Sequence, residues 1–135
     1  MFKRNKSSKL PSKPIDYPIG TFIETEKGYF YIAAPLKRYH LISKRALDSW
    51  SPPRVVKTTE AAVSRYRVAA KMRFRNGSLI HSLIDGKVYL IENSLRRPLV
   101  SPEAFERIGS HVKDKSIVTV SAEELRLHQL GEELS

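Results

Sequence analysis

The sequence contains no cysteine, which removes disulfides and thiolate metal sites and leaves the redox compartment open. It also has no long apolar run. The longest, YFYIAAPL at 29–36, falls far short of the ~18 residues that cross a bilayer. No apolar stretch follows the basic start MFKRNKSSKLPSKPIDYPIG in the way a secretory signal requires. The setting expected from these absences is the cytoplasm, or a particle assembled there.

Catalytic templates are missing too. There is no Walker-type glycine-rich loop and no GxGxxG. The four histidines, His40, His81, His111 and His128, are scattered without HExxH or i, i+4 pairing, so a zinc site has no support. His40 and His81 fall on expected strands and read as exposed or hydrogen-bonded strand residues. Glu103 and Glu106 share a helix face, but a glycosidase needs two carboxyls held about 5 to 10 Å apart across a cleft. These acids suit a helix start and solubility. Ser43, Ser101 and Ser121 have capping duties and no flanking nucleophile motif. Neither an enzyme nor a cofactor is expected.

What is present is positive charge, unevenly spread. Residues 1–19 hold five Lys/Arg against one acid, residues 20–76 twelve against four, and residues 77–135 seven against nine, within a net charge of +10. That layout favours an anionic partner for the first half, either nucleic acid or the acidic surface of a protein. Apolar content of 41% is that of a globular chain.

The chain also repeats itself. GTFIETEKGYFYI aligns with GSLIHSLIDGKVYLI, placing Gly20 on Gly77, Phe22 on Leu79 and Ile23 on Ile80. One extra residue in the second copy then brings Gly28 onto Gly86, Tyr31 onto Tyr89 and Ile32 onto Leu90. The match continues through Arg38 on Arg96, Leu41 on Leu99, Ser43 on Ser101 and Ala46 on Ala104. It closes with Val55 on Ile117, Val56 on Val118 and Thr59 on Ser121. Chemical class is kept across nearly the whole unit, the mark of a duplication.

Each copy reads as a three-stranded antiparallel meander, with turns at Asn93-Ser94 and, correspondingly, Ala34-Pro35. A helix follows. Ser101 is its expected N-cap in the second copy, Pro102 its first position, Glu103 its dipole partner and Gly109 its end. In the first copy Ser43 repeats the cap, but Lys44 and Arg45 sit where the dipole disfavours positive charge. That conflict marks either a contact with an acidic group or, the simpler reading, a weakened short helix. A closing strand then leads to a second helix, with Ser121 and Glu124 at capping-box spacing. In the first copy Thr59 is expected to cap a longer helix, TEAAVSRYRVAAKMRFR, carrying a basic stripe of Arg67, Lys71 and Arg75. Residues 1–18 are rich in Lys, Ser and Pro and read as a flexible basic arm that orders on binding.

The second copy, through Val88, Tyr89, Leu90, Ile91, Arg96, Arg97, Pro98, Ser101, Pro102, Glu103 and Phe105, resembles a short repeat found in tandem in bacterial envelope or secreted proteins and in some phage proteins. The first copy departs from that pattern, with Lys44 at the helix-starting proline and His40 at the strand proline. The resemblance implies an accessory or attachment module without catalysis, and it carries no functional site.

The expected fold is α+β: an arm (1–18) and two tandem pseudo-repeats (19–76 and 77–135), each a small antiparallel meander with short helices. The expected function is a non-catalytic structural or adaptor component of a larger assembly. A phage virion is the preferred setting, as capsid decoration or a neck or tail subunit, with protein neighbours as partners and no membrane. The alternative is nucleic-acid binding. Candidate contact residues are Lys3, Arg4, Lys6, Lys9 and Lys13 on the arm, the matched pairs Lys37-Arg38 and Arg96-Arg97, and Arg65, Arg67, Lys71, Arg73 and Arg75. Tyr29, Tyr31 and Tyr39 interleave with the first pair as aromatics do in single-strand binders. Tyr31, through its counterpart Tyr89, is expected to be a core or half-buried strand residue.

Overall fold

A computed structural model of the chain describes residues 10–108 and 116–135. In the first repeat, strand β1 (Phe22–Thr25) turns through two residues into β2 (Gly28–Ala34), which pairs in turn with β3 (Lys37–Leu41). Alternation fixes the faces: Ile23, Phe30 and Ile32 are buried, while Phe22, Tyr29 and Tyr31 are only half-buried. The β2–β3 turn is Pro35-Leu36, one residue later than expected, with Leu36 at a positive φ of 62°. A leucine is strained there.

Helix α1 (Lys44–Asp48) follows, and β4 (Val55–Lys57) then adds to the outer edge of β1 in parallel. Thr59 Oγ1 accepts from Ala62 N–H at 3.1 Å, but this bond closes a turn and caps no helix. The long helix expected beyond it does not form. Turns occupy the next residues, and Arg67–Lys71 becomes strand β5, parallel to β3. The Ala, Arg and Lys of this stretch suit a helix by propensity, but the unpaired edge of β3 offers ladder bonds that override it. The first sheet thus has the order β4-β1-β2-β3-β5.

The second repeat builds the same thing. Strands β6 (Leu79–Ser82), β7 (Val88–Glu92) and β8 (Leu95–Pro98) form the meander, with Asn93 and Ser94 at positive φ in the turn. Helix α2 (Pro102–Arg107) begins as its sequence dictates, with Ser101 Oγ accepting from Ala104 N–H; Gly109 lies outside the described residues. Strand β9 (Ile117–Val120) runs parallel to β6, and α3 (Ala122–Leu125) starts with the full Ser121–Glu124 capping box. The sheet order is β8-β7-β6-β9. Beyond it, the last residues lie parallel to β8, bridging Arg96 to Leu130 and Leu99 to Leu134. They stand where β5 stands in the first repeat. Gly131 permits that approach, since a Cβ there would come within 3.1 Å of Leu95 Cβ.

Strand pairing corrects the internal alignment. Ile23 pairs with Phe30, and Ile80 with Tyr89. Likewise Ile32 O accepts from Gly20 N–H as Ile91 O does from Gly77 N–H. Tyr89 is therefore the counterpart of Phe30, and Leu90 that of Tyr31. The glycines misled the reading, because the β6–β7 hairpin is longer than the β1–β2 hairpin by two residues rather than one. An odd shift swaps faces along a strand. The closing-strand matches, Val55 with Ile117 and Val56 with Val118, hold.

The chain condenses into two compact units that interleave the repeats. One comprises the chain up to Lys44 with Ser51–Met72, the other Arg45–Trp50 with Arg73–Ser135. The first centres on Ile23, Phe30, Ile32, Val63 and Tyr66. Its core also holds down residues expected to belong to a flexible arm: Tyr17 packs on it, the Tyr17 hydroxyl donates to Thr58 Oγ1 at 2.7 Å, and Ile15 N–H donates to Ala62 O. The second unit includes a cluster of Leu79, Leu90 and Ile108, flanked by Phe105 and Leu134. Among the described residues no helix is long and apolar enough to cross a membrane.

Candidate docking surfaces

The matched basic pairs divide into inward and outward members. Arg38, expected to face a partner, is buried. Its guanidinium forks onto both oxygens of Glu60 at 2.8 Å, donates to Tyr66 O at 3.1 Å and lies 4.3 Å over the Phe30 ring. Arg38 hydrogen bonds hold the Glu60 carboxyl below its usual range, with Thr25 adding a second donor. Arg96 is its counterpart, set over Tyr89 and donating to Leu125 O and His128 O. In each repeat the same arginine ties the segment after the closing strand to the meander, so these two residues are fold ties. Arg97 is engaged by Glu92 and by Glu132 O. Lys37 is exposed.

The stretch 65–75 also sorts. Arg65 meets Asp16 in an exposed pair, a contact worth little. Arg73 donates to Leu127 O. Arg67, Lys71 and Arg75 are exposed, the first two on β5, and Lys13 is exposed as well. Lys3, Arg4, Lys6 and Lys9 lie outside the described residues.

Two surfaces stand out. The first is the side of the first sheet opposite Ile23, Phe30 and Ile32. Phe22, Tyr31 and Tyr39 form a row across three strands, with ring centroids 4.9 and 6.4 Å apart. The second is the tip of the β6–β7 hairpin. Leu83 and Ile84 are 72% and 64% exposed, side by side, where the shorter first hairpin has only Glu26 and Lys27. The loop beneath them is braced: Ser82 Oγ accepts from Ile84 N–H, Gly86 N–H donates to Ser82 O, and Asp85 accepts from Lys87 N–H and the Tyr89 hydroxyl. The Tyr89 hydrogen bond keeps the Asp85 carboxyl below its ordinary range. An apolar pair on a braced loop is held ready for a partner at little further ordering cost.

Inside the second unit, ionisable groups serve the fold. Arg45, flagged by its misfit at a helix start, reaches Glu124 with contacts at 2.7 and 3.1 Å. The dipole conflict thus did mark an acidic contact. His128 gave no sequence signal beyond its presence, yet it is fully buried. Its Nε2 accepts from Phe74 N–H at 3.1 Å, so Nδ1 carries the proton and donates to Ser94 O at 2.6 Å. Burial first, then the Arg73 and Arg96 charges, pushes its pKa below 6.5. A second proton would face the Phe74 N–H. A lowered folded pKa makes stability complete above the unfolded value and lost as pH falls. Urea midpoints of the wild type should therefore drop from about pH 6.5 downwards, before the carboxylate losses near Glu60 set in. His128→Asn should be less stable throughout but flatter across that window. Equal slopes for the two proteins would refute the assignment.

Among the described residues no group of three His, Asp or Glu side chains gathers in metal-binding geometry. Searches against protein-family models, curated proteins and solved structures return no match.

Proposed function

We propose that the protein is a non-catalytic adaptor of a larger assembly, with a phage virion as its setting, docking onto neighbouring protein subunits. The observation that carries this reading is the hairpin tip: Leu83 and Ile84 project from a loop whose own polar groups are satisfied. Fully burying such side chains is worth about 1.5–3 kcal/mol each, enough for one tip to anchor a contact. Supporting it, the buried charged groups described above are committed to fold ties, while Lys37, Arg67, Lys71 and Arg75 of the first repeat stand exposed, suited to acidic neighbours.

The test is recovery of the protein from its native particles. Wild-type protein should co-sediment with a ring or shell protein. Leu83→Ser with Ile84→Ser, which touches no core residue, should reduce incorporation at least tenfold while leaving circular dichroism and thermal midpoint unchanged. Recovery as a free monomer, or equal incorporation of the variant, would overturn the reading.

A further inference from the structure

The aromatic row has room for a ligand of its own, because Tyr31 is only half-buried. Its counterpart in the second repeat is Leu90, and that of Phe22 is Leu79; both are fully buried in an apolar cluster with Ile108 and Phe105. In the first repeat those positions have become aromatic and remain half-buried. Tyr39, in register with Tyr31, extends the row, and Tyr29 lies beside it on the same face, next to the buried Leu41.

The charges on this face follow from the pairing. Lys37 and Arg67 are in register with each other, and Lys57 is in register with Glu24 beside Phe22. Lys37, Lys57 and Arg67 are exposed, and no ion pair holds them among the described residues. Three cations against one acid thus border a row of three rings.

From this juxtaposition we propose that the first sheet binds single-stranded nucleic acid, its bases stacking on Phe22, Tyr31 and Tyr39 and its phosphates meeting Lys37, Lys57 and Arg67. Unstacked bases offer flat faces to such a row, whereas a duplex hides them. An acidic peptide would use the cations and leave the rings idle. The site goes beyond the adaptor reading and is independent of it, since the hairpin tip lies on the other compact unit.

The test uses the full chain and a fluorescein-labelled oligothymidine of about 12 nucleotides, followed by anisotropy across a salt series. Single strands should bind more tightly than a duplex of equal length. Tyr39→Ala should weaken binding about tenfold, Tyr39→Phe should preserve it, and the Leu83→Ser/Ile84→Ser protein should bind as wild type. Lys37→Ala and Arg67→Ala, at exposed positions that leave the core intact, should each reduce the salt slope by about 0.7. They keep the test decisive should Tyr39→Ala fail to fold. The proposal is overturned by absent binding or by equal binding of duplex. It also falls if polyglutamate competes as well as the oligonucleotide, or if the slopes of both cation variants match the wild type.

Discussion

Arg38→Ala should destabilise the unit that contains β1–β5 by about 3–5 kcal/mol, a fall of roughly 15 °C or more in its thermal midpoint. The side chains of Arg38 and Glu60 are 8% and 18% exposed, so the pair is largely out of water. Removing the cation leaves a carboxylate with Thr25 as its remaining side-chain donor, and it strips Tyr66 O of a donor and Phe30 of its covering guanidinium. The loss therefore comes mainly from the orphaned groups and not from the attraction itself. Arg38→Met combined with Glu60→Gln separates the two. That double variant leaves no unpaired charge and should recover to within about 1–2 kcal/mol of wild type, as apolar replacements of buried pairs do. Urea unfolding followed by tyrosine fluorescence measures both. A single variant costing less than ~1 kcal/mol would show that Glu60 reaches water freely and that the tie is ornamental.

Glu124→Ala should cost about 3 kcal/mol, and the reasoning differs. Glu124 is 2% exposed, but Arg45 is 51% exposed, so screening leaves the ion pair itself with a small share. The larger share belongs to the capping box: Glu124 Oε1 accepts from Ser121 N–H at 2.8 Å, and Ser121 Oγ accepts from Glu124 N–H. Alanine abandons a backbone donor at the start of α3 and leaves a void among buried neighbours such as Leu125. Arg45→Ala should cost only about 1 kcal/mol, because Glu124 keeps its cap and the Arg45 side chain is half in water. Glu124→Gln should fall between the two. Equal losses for Glu124→Ala and Arg45→Ala would mean that the ion pair carries the stability after all.

How far the sequence reached depended on the range of the interactions involved. Caps and turns were legible because they are decided within four residues: Ser101, Ser121 with Glu124, and Asn93-Ser94 all sit as expected. The two meanders were legible because short runs rich in aromatic and β-branched residues, bounded by turn residues, recur in both copies. The misfit of Lys44 and Arg45 even gave a hint of Glu124, 79 residues away from Arg45. What failed was everything fixed by an edge or an offset. β5 carries a helix-like composition and becomes a strand only because β3 lies beside it. The hairpin lengths differ by an amount that glycine matching hid, so Tyr31 was paired with Tyr89 in place of Leu90, although its half-buried place on a strand was as expected. Arg38 and Arg96 look like surface cations in any linear reading. The burial of Arg38 and the half-burial of Arg96 follow from the turns that return Tyr66 and His128 to the meander.

The parallel edge strands also bear on how the chain leaves the ribosome. A meander is finished once Leu41 has emerged, yet the strand that shields β3 ends only at Lys71. At about 5–20 residues per second, that lag lasts roughly 1.5 to 6 seconds. During translation, therefore, each nascent sheet displays bare ladder groups on both flanks. Crowded synthesis, as in a cell making many copies at once, exposes those flanks to strands of neighbouring nascent chains before their own have arrived.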